Sequence, residues 1–385
     1  MKLAIVGAGI GGLAAAVEIR TRLGDAVEVM VLERAERLEE AGAALQLSPN
    51  ATRVLFGVGL GEALQAIGSA PERIEIRAAA GARLLYTNPL GEAAVRRWGG
   101  PYLHVHRADL HAALLNRLIE LGGEVRTGAA LGAVSQDAAG VTLLLEDGSM
   151  VAADAVVGAD GLRSTVRQAL FGPDKPRFSG QIAWRALVPA ERLPEGLKLS
   201  PTVWTGLGRH FVHYPVRRGT QINLIAVVDG AEPGEESWRA KGDRAVLAAA
   251  FAGWPSPIPE LIQAADDAWR WPIYDRPPLP RWSVGRITLL GDAAHPMPPY
   301  MAQGAAQAIE DAAALAARLA EGGAIEHAFR RYEADRLART ARVQAASRRN
   351  ASLFHLPGLL SRPMFAAAGR LGLANLDWLY GGGPA

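Results

Sequence analysis

Three short segments of this 385-residue chain carry residue types and spacings suited to binding a phosphorylated ligand. The first, Gly7-Ala8-Gly9-Ile10-Gly11-Gly12, fits G-x-G-x-x-G. In such a loop Gly7 permits the tight turn, Gly9 lets a pyrophosphate approach the backbone, Gly11 completes the run, and Gly12 allows a helix to pack closely on a strand. Glu33 lies 21 residues beyond Gly12, placed to accept hydrogen bonds from ribose hydroxyls, with Arg34 beside it. An acid there favours an adenosine ribose without a 2′-phosphate, which suits FAD or NAD, and the loop alone does not choose between them. The other two segments, Val157 to Ser164 and Leu289 to Pro296, each end an apolar run in glycine and a carboxylate, Asp160 and Asp292. At a strand end such carboxylates can reach ribityl or ribose hydroxyls, although each segment alone reads equally as a strand-to-helix turn with a capping Asp. After the second of them come Pro299, Gly304 and Ala305, where a helix N-terminus would stabilise negative charge on a reduced isoalloxazine ring.

A fourth segment, Gly208 to Val216, carries a different chemistry. On a strand, alternate side chains share a face, so His210, Val212 and Tyr214 point one way while Phe211 and His213 point the other. A histidine titrating near neutrality is suited to taking a proton from a phenol, directly or through a tyrosine or water. The plainer reading is a pair of half-buried sheet residues. Zero cysteines exclude disulfides, zinc fingers, iron–sulfur clusters and thiol catalysis, and no metal site is read.

These residues need elements to position them. Leu3 to Val6 is a short apolar run ending in glycine, Gly11 to Leu23 an alanine-rich helix, and Val27 to Leu32 a second buried run, together a βαβ unit. Ala155 to Gly158 and Ile287 to Leu290 read as strands of the same buried type. Asp147-Gly148 reads as a hairpin turn, and 57–61 as a helix-to-helix loop. Between residues 178 and 229 the pattern changes to antiparallel strands separated by Gly and Pro turns. Gln303 to Leu319 is expected as a long helix and Ala324 to Asn350 as another. The arginines at 330, 331, 336, 339, 342, 348 and 349 are read, with the interleaved Glu333 and Asp335, as a solvated helix face.

Composition bounds the class. With 49% hydrophobic and 21% charged residues the chain can offset its own conformational entropy and fold. Its net charge of +2 makes no electrostatic case for nucleic acid or an acidic membrane surface. The N-terminal apolar stretch carries four glycines and runs straight into Glu18 and Arg20, so it reads as fold rather than signal peptide. No run approaches a membrane span, and the expected location is the cytoplasm.

Taken together, the glycine fingerprint, the Asp-Gly segment and the Gly-Asp segment resemble the single-component (group A) FAD-dependent aromatic hydroxylases of the p-hydroxybenzoate hydroxylase superfamily. The resemblance covers essentially the whole chain. It implies that Asp292 contacts the FAD ribityl chain, that Asp160 helps bind FAD and the pyridine nucleotide, that Arg107 lies near the FAD pyrophosphate, and that Gln46 lines the flavin. The run Met301 to Asp311 departs from the broad superfamily, with Ala302 where Gly is commonest and Ala306 where Asn is. There it resembles a subgroup that includes salicylate hydroxylases, 3-hydroxybenzoate 6-hydroxylases and 6-hydroxynicotinate 3-monooxygenases. In that subgroup a histidine–tyrosine pair at the spacing of His210 and Tyr214 lies near the substrate phenol; Tyr300 and Met301 are expected in the same cavity, and His295 as a packing or flavin-neighbour residue.

The implied fold is α/β: a Rossmann-like FAD-binding domain (1–72, 101–174, 277–350) with an inserted antiparallel β-sheet substrate domain (73–100, 175–276) and C-terminal helices (351–385). The implied function is hydroxylation of a small phenolic or hydroxy-heteroaromatic acid with NADH or NADPH and O2, through a flavin C4a-hydroperoxide, in a monomer or homodimer. His210 and Tyr214 would deprotonate the phenol; Arg185 and Arg83 are candidates for the carboxylate clamp. The alternative is a flavin monooxygenase or epoxidase for a non-phenolic polyketide or terpenoid.

Overall fold

The computed structural model describes residues 1–38, 44–197, 199–230, 241–356 and 358–382. Its first layer is a five-stranded parallel sheet in the order Ile287–Leu289, Ala155–Gly158, Lys2–Val6, Glu28–Leu32, Glu124–Arg126. The strands Lys2–Val6, Ala155–Gly158 and Ile287–Leu289 are short and largely apolar because both faces are covered, whereas the edge strand Glu124–Arg126 is not. The helices Ile10–Leu23 and Gly304–Ala320 pack on one another over the sheet, their alanines permitting close approach. The hairpin turn at Asp147-Gly148 joins Val141–Leu145 to Met150–Ala153. The segment 57–61 joins helix Pro49–Gly57 to helix Gly61–Ile67.

The second layer is an eight-stranded sheet, in the order Lys241–Gly242, Ala268–Asp275, Arg177–Pro189, Gln221–Asp229, Arg209–Val216, Thr202–Gly206, Arg73–Ala78, Arg83–Pro89. It is antiparallel except at one joint, where Thr202–Gly206 runs parallel to Arg73–Ala78. That joint brings together segments over a hundred residues apart, so no hairpin constrains its direction. One face of the sheet packs on the helices Arg244–Ala250 and Ile258–Ala264 through Trp184, Trp204, Phe211 and Leu224.

Two expectations need correction. The helix expected to end at Asn350 runs from Ile325 to Phe354, so the boundary drawn at 350 falls inside its last turns. No glycine or proline occurs before Pro357, which lies outside the described residues, and nothing in the sequence stops the helix earlier. The arginines along it are not all solvated. Arg336 is 2% exposed and pairs with Glu310 Oε2 at 2.5 Å and Asp311 Oδ1 at 2.7 Å, both on the neighbouring helix. Arg339 bonds both oxygens of Glu310 as well as the carbonyls of Trp378, Leu379 and Gly382. Charge alternation along one helix reads as a solvated face, but carboxylates from another helix can bury it.

Burial alone would push the Asp311 carboxyl up, but His295 and Arg336 outweigh it and hold the group at about 2. Its contribution to stability is therefore present above the ordinary carboxyl value and is lost as pH falls through about 2. Replacing Arg336 by Met leaves two buried carboxylates short of a partner and should cost about 3–5 kcal/mol in chemical denaturation. Arg330→Ala, on the exposed face of the same helix, should change stability by less than about 0.5 kcal/mol.

Candidate functional site

The glycine loop leaves the strand Lys2–Val6 and enters the helix beginning at Ile10. Gly7 has φ +103°, and a Cβ there would meet the Ala159 carbonyl oxygen at 2.5 Å. A Cβ on Gly12 would lie 1.9 Å from the Gly7 carbonyl oxygen, so both positions need glycine for the turn and the packing. A Cβ on Gly9, by contrast, would meet nothing within 4 Å. That open side faces a cavity of about 590 Å³ lying between the two sheets.

Gly9, Gly11, Gln46, Arg107, Asp292, Pro299, Gly304 and Ala305 all line this cavity, and His210 and Tyr214 line it from the large sheet. Asp292 keeps an accessible carboxylate although it lies deep in the molecule, because its exposure is toward the cavity. Burial pushes its pKa up, partly offset by His295 and Arg107. The neighbouring Gly291 amide donates to Asp311 Oδ2 at 3.0 Å, which fixes the turn, and His295 Nε2 contacts the same oxygen at 2.5 Å. The helix Gly304–Ala320 starts with no side-chain cap and opens onto the cavity. Ala302, where the broad superfamily favours Gly, has a left-handed backbone at φ +51°. An open backbone cradle, a carboxylate facing inward and an uncapped 17-residue helix N-terminus fit a pyrophosphate, a polyol chain and an anionic ring.

Five predicted cofactor residues lie outside the cavity lining: Gly7 and Gly12, which shape the turn, and Glu33, Arg34 and Asp160. Glu33 caps the loop, accepting the Ala8 amide at 2.8 Å and the Ala35 amide at 2.9 Å. Arg34 is exposed. Asp160 accepts the Val166 amide at 3.2 Å, at the start of helix Thr165–Phe171, and burial raises its pKa.

The strand Arg209–Val216 alternates as expected. Phe211 joins the core beneath the sheet, and His213 Nε2 accepts the Trp204 indole N–H at 3.1 Å. His210 and Tyr214 do face the cavity, but four residues of strand put their backbones about 13 Å apart. They keep separate company. Tyr214 hydrogen-bonds Gln46, which also accepts the Tyr102 hydroxyl at 2.6 Å, and its ring lies 4.4 Å from that of His104. Burial holds His104 at about 3 and raises the Tyr214 phenol. His210 Nδ1 lies 2.8 Å from His355 Nε2, with the Tyr300 ring 5.4 Å away. Burial and the nearby His355 keep His210 well below its ordinary value, so at neutral pH it is an uncharged base.

Of the two clamp candidates, Arg83 is exposed, whereas Arg185 lines the cavity with its guanidinium 4.2 Å from the centre of the Trp271 ring. Burial brings Arg185 down to about 10. His355, Asp229 and Gln181 escaped the sequence reading, because nothing in their local sequence marks them as neighbours of His210.

A family model described as "FAD binding domain" matches residues 1–347. The chain belongs to that family. It is 41% identical over 390 aligned positions to a 3-amino-4-hydroxybenzoate 2-monooxygenase of Streptomyces platensis, covering 99% of this chain and 96% of the relative. It is 36% identical to a 3-hydroxybenzoate 6-hydroxylase of Klebsiella oxytoca, covering 93% and 90%. Its fold superposes on HpxO of Klebsiella pneumoniae, solved with FAD and uric acid, at a TM-score of 0.86 and 28% identity, covering 98% and 94%. The protein is an FAD-dependent aromatic monooxygenase. No helix among the described residues is long and apolar enough to cross a membrane.

Removing the inward carboxylate should weaken FAD retention. Asp292→Ala should raise the FAD dissociation constant roughly 10- to 150-fold, the loss of about 1.5–3 kcal/mol for a hydrogen bond to a charged group. Flavin fluorescence during reconstitution measures it; an Asp292→Ala protein that purifies fully yellow would remove the assignment.

Proposed function

We propose that this enzyme hydroxylates a hydroxybenzoate, an amino-substituted hydroxybenzoate being the first to test, and that His210 takes the phenolic proton. The observation that carries the reading is the division of the cavity's polar groups. An uncharged imidazole stands at one level of the sheet, and Tyr214, about 13 Å along the same strand, is hydrogen-bonded to Gln46 of the strand Ala44–Leu47. Between them the walls are apolar, with Ile76, Val203, Ile225 and Val227. Arg185 brings a buried cation to this space, suited to a substrate carboxylate.

The relatives' names support the same substrate class: one acts on 3-amino-4-hydroxybenzoate, another on 3-hydroxybenzoate. Bound FAD, with NAD(P)H and O2, supplies an electrophilic oxygen. A phenolate ring is a far better nucleophile than the phenol, so the protein's task is to ionise the substrate and keep water away. His210 accepts the proton at Nε2, its Nδ1 being engaged by His355. Tyr214 and Arg185 orient the ring from the carboxylate end. Enclosure between the two sheets excludes water that would divert the oxygen to hydrogen peroxide. Segments 1–72, 101–174 and 277–350 would hold the cofactor, and 73–100 with 175–276 the substrate.

NADH and NADPH consumption across hydroxybenzoates and hydroxynicotinates, with product masses, tests the reading. His210→Ala should slow hydroxylation roughly 10²- to 10⁴-fold with FAD still bound and peroxide rising. Arg185→Met should raise KM for a carboxylate-bearing substrate by an amount equivalent to about 2–5 kcal/mol, and much less for the matching phenol without a carboxylate. Equal effects on both phenols would take the clamp away from Arg185.

A further inference from the structure

The substrate cavity has a neighbour. A second cavity, of about 450 Å³, is lined by Gln181, Asp229, Asp275, Tyr300, Arg348 and His355, among others. Tyr300 lines both. Between the two lies the His210–His355 contact, and beyond it His355 Nδ1 lies 2.7 Å from Asp229 Oδ1. The Asp229 side chain is 55% exposed, whereas those of His210 and His355 are buried. A continuous line of hydrogen bonds therefore runs from one cavity to the exposed carboxylate in the other.

The chemistry of the partners fixes the proton positions along this line. His355 Nδ1 lies 2.7 Å from Asp229 Oδ1 and 3.2 Å from Gln181 Nε2; the shorter contact, to an ionised carboxylate that only accepts, places a proton on His355 Nδ1. His355 Nε2 is then an acceptor, and the 2.8 Å contact places a proton on His210 Nδ1. His210 Nε2 is left with its lone pair. The surface carboxylate thus sets, two rings away, which nitrogen of the cavity base is basic. Gln181 braces the arrangement, donating to Asp229 Oδ1 at 3.1 Å and accepting the Tyr300 hydroxyl.

Resting on the phenolic-substrate reading above, we infer that His355 and Asp229 form a proton relay that carries the substrate's phenolic proton from His210 to the second cavity. The substrate O–H bond breaks as its proton joins His210 Nε2. The Nδ1 proton of His210 passes to His355 Nε2, and the Nδ1 proton of His355 passes to Asp229 and then to water. One proton leaves, no electron moves, and the negative charge stays on the phenolate. Passage in reverse returns a proton to the product and restores the starting tautomers.

The surroundings suit transit rather than storage of charge. His210 faces His355 and Tyr300, with no carboxylate among its hydrogen-bond partners. His355 faces His210, Asp229 and Arg209; burial lowers its pKa, Asp229 raises it, and Arg209 lowers it. Across the second cavity Arg348 is paired with Asp275 at 2.5 Å, so neither offers a competing site for the proton. His355 also sits at the C-terminus of the helix Ile325–Phe354, where a passing positive charge is favoured.

The test uses the FAD-loaded enzyme with 3-amino-4-hydroxybenzoate, and 3-hydroxybenzoate as a second probe, mixed without NAD(P)H in a stopped flow. Phenolate absorbance reports ionisation, and a pH indicator reports release of the proton. His355→Ala, His355→Gln and Asp229→Asn should slow proton release about tenfold or more, short of the 10²- to 10⁴-fold expected at His210 itself. Flavin content and probe affinity should stay near wild type. Added imidazole should restore the rate in His355→Ala and leave His355→Gln, whose side chain fills the space, unchanged. Wild-type ionisation with unaltered rates and pH profiles in all three variants overturns the relay while leaving the substrate reading intact. A wild type that ionises neither probe overturns both.

Discussion

The ion pairs of Arg336 with Glu310 and Asp311 hold the cofactor side of this enzyme in place. Asp311 reaches the Gly291 amide and His295, which fixes the turn carrying Asp292. Glu310 reaches Asn50 Nδ2 at 2.5 Å, and Gln303 donates to Ser48 Oγ at 2.8 Å, so the N-terminus of helix Pro49–Gly57 is tied to the same point. Arg339 extends the cluster to the carbonyls of Trp378, Leu379 and Gly382. A cluster of this kind adds little net stability over a well-packed apolar equivalent, because desolvating the charges offsets their attraction. Its effect is directional. Forked guanidinium–carboxylate bonds admit one relative placement of two helices where alanine packing alone would admit several.

That placement matters because the cavity has no single owner. The parallel sheet contributes the glycine loop, the long helix its uncapped end, and the eight-stranded sheet the imidazole, phenol and guanidinium. Each sheet presents an apolar face that must be covered, and the cavity lies where their coverings do not quite meet. Burial there has opposite consequences for different groups. It strips the charge from His104, His210 and His213, which leaves bases that are neutral near pH 7. It also leaves Arg185 charged with little water around it, which strengthens any pairing with an anion.

Several features were legible because their signals are local. The glycine loop, the buried runs on either side of it and the Gly-Asp turn are dictated by sterics within a few residues, and the structure has them where the pattern put them. Alternation along 209–216 correctly sent His210 and Tyr214 to one face. A shared face says nothing about distance along the strand, and the two side chains have different partners there. Arg336 misled in a similar way, since a helix pattern records its own neighbours and not those of the helix packed against it.

The sequence by itself determined the class of cofactor loop, the two kinds of sheet and the face of its strand on which His210 lies, because glycine sterics and side-chain periodicity act at short range. Tertiary structure decided which partner each polar group received. His210 meets His355 across 145 residues, His355 meets Asp229 across 126, and Arg336 meets Asp311 across 25. Such contacts are set by how layers pack, and no local pattern encodes them.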